Sequence, residues 1–175
     1  MKNLSIYILL LLTFVLCQKA NAQDYVTKKD TSVKFRYGLG FGGGSTTGYG
    51  LSFKYFPSSY TGKLGAQVNF APYQSVSSKQ YSFGLTFLYK LVENQKSSLY
   101  LYQGNSLLYR YDNYKYYYYG SNTTSESLKI NNGIGIGIEI IILQRVGFNI
   151  MAGYGGYDSF KTITIAGEGG LYYKF

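Results

Sequence analysis

From Val33 to Phe41 the sequence reads VKFRYGLGF. Val33, Phe35, Tyr37, Leu39 and Phe41 are apolar, and the residues between them, Lys34, Arg36, Gly38 and Gly40, are charged or tiny. A period of two puts all the large groups on one face of an extended chain, so this stretch reads as a strand and not a helix. The pattern recurs. Tyr49, Leu51, Phe53 and Tyr55 alternate with small or polar residues, as do Leu64, Ala66, Val68 and Phe70, and then Tyr81, Phe83, Leu85, Phe87 and Tyr89. Further on, Ile130, Ile134, Ile136, Ile138 and Ile140 interleave with Asn131, three glycines and Glu139, followed by Val146, Phe148, Ile150, Ala152 and Tyr154, and last by Ile163, Ile165, Leu171, Tyr173 and Phe175. Between these runs lie turn-like GGGSTT, Pro57-Ser58-Ser59, a polar connection from Tyr73 to Lys79, VENQKSS, a turn around Gln144-Arg145 and a loop over 155–161. One segment breaks phase. In Leu99 to Tyr111, Tyr100 and Tyr102 have one parity, and Leu107, Tyr109 and Tyr111 the other, so a bulge near Gly104-Asn105 is expected. A long loop over 112–127 follows it. The count is eight strands joined as consecutive antiparallel hairpins.

Which face points inward decides the class. In a soluble barrel the greasy face would be the core. Eight strands enclose a space that side chains only just fill, and a Phe, Tyr, Leu or Ile at nearly every apolar position would overfill it. The opposite parity is rich in Gly, Ser, Asn and Gln. Glycine weakens a solvated strand but suits a crowded interior. The pattern therefore fits an inverted arrangement, with large apolar groups facing lipid and small or polar groups inside, as in a transmembrane β-barrel. Tyr37, Tyr55, Tyr81, Tyr89, Tyr154 and Tyr173 near strand ends suit interfacial girdles. Lys34, Arg36, Lys54, Glu139 and Glu168 all take the inward parity. A cation facing lipid at the midplane would cost about 2–4 kcal/mol, so these five read as a lumen charge cluster that satisfies itself. Closure of the last strand on the first predicts Glu168 beside Arg36.

The N-terminus reads as a secretory signal: Lys2, an apolar run from Ile6 to Cys17, and Ala20-Asn21-Ala22 as a small-x-small cleavage site ahead of Gln23. The expected organisation is a signal over 1–22, a short periplasmic segment over 23–32 and a barrel over 33–175. Cys17 is the one cysteine. The bulky Leu16 before it departs from a lipoprotein signal, and its loss would leave no disulfide staple. Removing Lys2 and Lys19 leaves fifteen basic against eight acidic residues, a formal +7. The basic residues are scattered and form no stripe, which argues against nucleic acid and for an anionic surface as neighbour.

The chain has no histidine, so Ser-His-Asp and Cys-His catalysis are absent. Asp112, Glu126 and Asp158 form no recognisable catalytic motif. No metal-ligand spacing occurs, and neither enzyme activity nor a cofactor is expected.

The signal, the alternating segments and the in-phase Leu171, Tyr173 and Phe175 together resemble the small outer-membrane β-barrel family of the OmpA/OmpX type, over about residues 33–175. Gly167 and Gly169, at outward positions of the last strand, depart from that pattern. The resemblance implies residence in the outer membrane of a Gram-negative bacterium, with both termini periplasmic. Lipids and lipopolysaccharide would then be its neighbours. It also implies that Leu171, Tyr173 and Phe175 are read by the barrel-assembly machinery. The connections near 43–47, 72–79, 112–127 and 155–161 would face the outside. A structural or surface-interaction role would fall to those loops, chiefly Tyr114, Tyr116, Tyr117, Tyr118 and Tyr119 in the 112–127 loop, where tyrosine offers contact area at low entropy cost to an extracellular partner. The alternatives are a narrow channel for water or small solutes and an accessory barrel of a secretion or surface-assembly system.

Overall fold

Each alternating run becomes a strand with its large apolar parity turned away from the barrel axis. The structure, a computed structural model, describes residues 35–57, 63–94, 96–115 and 122–175. The strands are β1 (Tyr37–Gly44), β2 (Gly48–Tyr55), β3 (Leu64–Gln74), β4 (Ser78–Glu93), β5 (Ser97–Lys115), β6 (Asn122–Leu143), β7 (Val146–Tyr157) and β8 (Thr162–Lys174). Each pairs antiparallel with its sequence neighbour, and β8 returns to β1, so the sheet is a closed up-and-down barrel of eight strands. Closure pairs every strand on both sides and leaves no edge.

The register sets the tilt. Hydrogen-bonded partners run from Tyr37 through Tyr55, Ala66, Phe87, Gln103, Ile134 and Tyr154 to Ile165. The β8–β1 register then brings the circuit back level with position 47 instead of 37, a stagger of ten residues. A closed sheet with such a stagger has strands tilted to its axis, which gives the interior room for side chains. At the end that carries Phe175, the Phe175 and Tyr37 backbones exchange two hydrogen bonds of 3.0 Å. The Tyr37 ring stacks on Phe175 at 5.7 Å and on Tyr55 at 5.1 Å. Phe175 is thus the last rung of the closing seam, and Leu171 and Tyr173 share its outer face.

Several expectations need correction. No bulge interrupts β5 at Gly104-Asn105, because its pairing with β4 and β6 runs unbroken through both residues. The phase conflict is resolved by turning Tyr100 and Tyr102 inward, where both are buried, and Gln103 and Asn105 outward. Register shifts occur instead between Lys90 and Val92 in β4 and between Ile141 and Leu143 in β6. The expected 112–127 loop is mostly sheet: Asp112 to Lys115 pair with Asn122 to Ser125. The connection over 73–79 shrinks to a turn closed by Ser75 N–H donating to Ser78 O at 2.7 Å. Ala22, Gln23, Lys34 and Tyr116 to Tyr119 lie outside the described residues, and Tyr114 sits in β5.

Candidate functional site

The lumen gathers the polar chemistry of the chain, in two layers. The layer near the termini is ionic. Lys54 on β2 and Glu139 on β6 are 2 % and 4 % exposed, and the Lys54 ammonium donates to Glu139 Oε2 at 2.8 Å. Lys174 on β8 donates to the other carboxylate oxygen. Two cations face one anion, and the surplus charge is met by aromatic faces. Lys54 Nζ stands 4.2 Å from the Tyr172 ring centroid and 5.5 Å from that of Tyr100, where the ring quadrupole attracts a cation. The two phenols are held in turn: Asn149 Nδ2 donates to Tyr100 OH at 2.9 Å, and the Ser52 and Tyr172 hydroxyls are bonded at 3.0 Å. Leu88 and Met151 pack against the Tyr100 and Tyr102 rings. Closer to the mouth, Lys90 Nζ lies 4.2 Å from the Phe56 ring. The cleft among Arg36, Lys54, Phe56, Glu139, Tyr172 and Lys174 has a volume of about 10 Å³, space for one water.

The second layer was not foreseen. The β1–β2 connection, Ser45-Thr46-Thr47, does not project from the rim but folds into the barrel, with Thr46 and Thr47 0 % exposed. Glu168 on β8 receives it. Its Oε1 accepts from the Thr46 hydroxyl and from Thr46 N–H at 3.2 Å, and its Oε2 accepts from the Thr47 hydroxyl. The turn's carbonyls are satisfied by strand side chains. Ser106 Oγ and Asn131 Nδ2 donate to Ser45 O at 2.8 and 2.9 Å, and Asn69 Nδ2 donates to Thr47 O and Gly48 O at 3.0 Å each. This explains the inward Asn and Ser residues, since a backbone segment buried away from water needs partners.

The turn fits because four successive strands carry glycine beneath it. A Cβ built on Gly104 would lie 2.8 Å from Thr47 Cγ2, and one on Gly155 would lie 2.6 Å from Thr46 Cγ2. On Gly84 it would run into the Thr47 carbonyl, and on Gly133 into the Thr46 side chain. Gly48, which ends the turn at φ +70°, takes a left-handed conformation open to glycine at little cost.

Of the five residues expected to form one lumen cluster, Lys54 and Glu139 are paired. Glu168 serves the inserted turn and does not approach Arg36. Its level corresponds to Gly44, whereas Arg36 precedes the opposite end of β1 and is exposed. The sequence reading aligned the two by parity alone, which fixes the face and not the height. The missed signal was the set of inward glycines on β4, β5, β6 and β7. Among the described residues, no group of three or more His, Cys, Asp or Glu could hold a metal ion. At the end remote from the termini, Lys161 bonds Asp158 at 2.7 Å and holds its carboxyl below the ordinary range.

No protein-family model and no curated protein matches the chain. Among solved structures it is similar to the N-terminal β-barrel domain of Pseudomonas aeruginosa OprF, with a TM-score of 0.48 and 14% identity over 80% of this chain and 96% of that one. It is similar also to Neisserial surface protein A (NspA), with a TM-score of 0.45 and 18% identity over 80% and 95%. A third is Ail, the attachment invasion locus protein of Yersinia pestis, at a TM-score of 0.38 and 15% identity over 81% and 96%.

Proposed function

We propose that this chain is an integral outer-membrane barrel with a closed lumen and no catalytic role, whose interactions are made at its surface. The observation that carries the reading is the outer wall. Leu39, Phe41, Leu51, Phe53, Phe70, Phe83, Phe87, Ile136, Ile138, Ile150 and Leu171 are all exposed, and they encircle the barrel. Soluble monomers rarely expose contiguous apolar surface beyond a few hundred Å², whereas a bilayer requires it. The tyrosines support the same reading. Tyr37, Tyr55 and Tyr173 mark one level of the wall and Tyr81 and Tyr154 a higher one, as interfacial girdles would. With both termini periplasmic, the inserted turn and the long β5–β6 hairpin would stand on the external side. Recognition of an extracellular partner would then fall to that hairpin. The barrel-assembly machinery would read Leu171, Tyr173 and Phe175 on their shared outer face.

The alternative of a narrow channel for water or small solutes fares worse. The inserted turn fills the lumen at one level, and the Lys54–Glu139–Lys174 group with the Tyr100, Tyr102 and Tyr172 rings fills it nearer the termini. The test is cell-envelope fractionation followed by electrophoresis of boiled and unboiled samples, and then bilayer recording. The expected result is an outer-membrane protein whose unboiled form migrates apart from the boiled form and which passes no current above background. A protein recovered in the aqueous fraction without detergent would overturn the membrane reading, and a steady current would overturn the closed lumen.

A further inference from the structure

Below the level of Tyr81, the outward positions of the described strands are apolar or glycine except at one place, where three primary amides meet. Gln103 and Asn105 on β5 and Asn132 on β6 all take the outward parity and are half-buried. Asn105 and Asn132 are direct cross-strand partners. Apolar residues surround them: Gln103 pairs with Phe87 on one side and Ile134 on the other, and Asn105 pairs with Leu85. Along β5, Leu101 lies toward the termini and Leu107 away from them, while Tyr89 and Tyr81 bracket the same stretch on β4. The patch therefore runs from Gln103, inside the apolar band, up to Asn132, which lies one outward position above the Tyr154 level and below Ile130.

The hydrogen bonding is incomplete in a directional way. Gln103 Nε2 donates to Asn105 Oδ1 at 2.8 Å, and Asn105 Nδ2 donates to Gln103 Oε1 at 3.2 Å and to Leu85 O at 3.3 Å. Gln103 Nε2 also approaches Gly104 O at 3.5 Å. The N–H groups of the β5 amides are thus occupied, while each of their oxygens keeps a free lone pair. Asn132 makes no side-chain bond among the described residues, so it presents two free donors. Acyl chains can satisfy neither, and an unpaired polar group in hydrocarbon is unfavourable.

From this we infer that the β5–β6 wall is the interface of a homodimer in the membrane. The inference rests on the membrane reading above. Two copies inserted by one route share one orientation, so the two-fold axis that relates them runs along the membrane normal. Such an axis sets β5 of one copy against β6 of the other at nearly equal height. Asn132 donors then meet the free oxygens of Asn105 and Gln103 from the second copy, and the reverse contact forms by symmetry. The patch carries no charge, so the copies do not repel. Leu101, Leu107, Leu85 and Ile134 supply the apolar margin.

The test is oxidative cross-linking in isolated outer membranes, with Leu107→Cys on this wall and Phe53→Cys on the far wall. The parent chain, with only Cys17, is the background. Leu107→Cys should give a band of twice the chain mass, and Phe53→Cys should not. Adding Gln103→Leu, Asn105→Leu and Asn132→Leu to Leu107→Cys should lower its yield by about tenfold, since each interchain hydrogen bond in a membrane is individually weak and several are lost together. The heat-dependent gel shift is read on the same samples. A shifted barrel with no dimer, with equal dimer from both walls, with undiminished dimer after the leucine substitutions, or cross-linked to a protein of different mass overturns this inference and leaves the membrane reading intact. A chain that shows no shift and leaves the membrane without detergent overturns both.

Discussion

Replacing Glu139 with glutamine tests the ionic layer of the lumen. The change keeps the shape of the side chain and removes the carboxylate that bonds both Lys54 and Lys174. The Lys54 and Glu139 side chains are 3% and 5% exposed, so water does little to screen the loss. Removing one partner of a buried pair costs about 3–5 kcal/mol, because the other charge is left behind. The Tyr100 and Tyr172 faces remain and offset part of this, which puts the expectation near the lower figure, about 3 kcal/mol. At a urea slope of about 2 kcal/mol/M, the unfolding midpoint should fall by about 1.5 M. The assay follows the unboiled, fast-migrating band against urea for protein folded into vesicles. Lys54→Met added to Glu139→Gln should recover more than about 1 kcal/mol by removing the stranded cation. Arg36→Met, at an exposed position, should stay within about 0.5 kcal/mol of the parent. A Glu139→Gln midpoint within about 0.5 M of the parent, a third of the expected shift, or no recovery in the double variant, would refute the reasoning.

Gly84→Leu should expel the β1–β2 turn, because the Thr47 carbonyl occupies the space a side chain needs. Limited proteolysis of the folded, heat-shifted variant should then cut the turn, which is protected in the parent, and a folded variant with the turn still protected would contradict the plug. Ser159→Gly should stabilise the barrel by about 1 kcal/mol, since Ser159 lies at φ 59° between two other left-handed residues, Asp158 and Phe160; a lowered thermal midpoint would count against this. Phe175→Ala should lower stability by about 1 kcal/mol through loss of the stacked pair with Tyr37. It should also reduce the folded fraction in cell envelopes, and unchanged insertion would remove the proposed assembly role.

Strand number, order and facing were legible because a period of two is a local property. Val68 and Phe70 face outward and Gln67 and Asn69 inward whatever the rest of the chain does. Height was not legible. Glu168 and Arg36 share a parity, but the ten-residue stagger places them at opposite ends of β1, and a stagger emerges only when the whole ring closes. The phase of β5 was misread for a related reason. Tyr100 and Tyr102 are as large as any outward residue; Tyr100 faces the Lys54 ammonium and the space left by Gly137, and Tyr102 packs with Leu88, Tyr100 and Met151. The inserted turn was hidden because its partners, Asn69, Ser106, Asn131 and Glu168, come from four strands that are distant in sequence.

The central claim is that alternate residues face acyl chains and the lumen. Single cysteines at Leu51, Ser52 and Phe53, each carrying an environment-sensitive fluorophore, test it in vesicles made with brominated acyl chains. The account predicts strong quenching at Leu51 and Phe53 and little at Ser52, whose side chain bonds Tyr172 inside the barrel. Quenching at Ser52 with Leu51 and Phe53 protected, or equal quenching at all three, would contradict it.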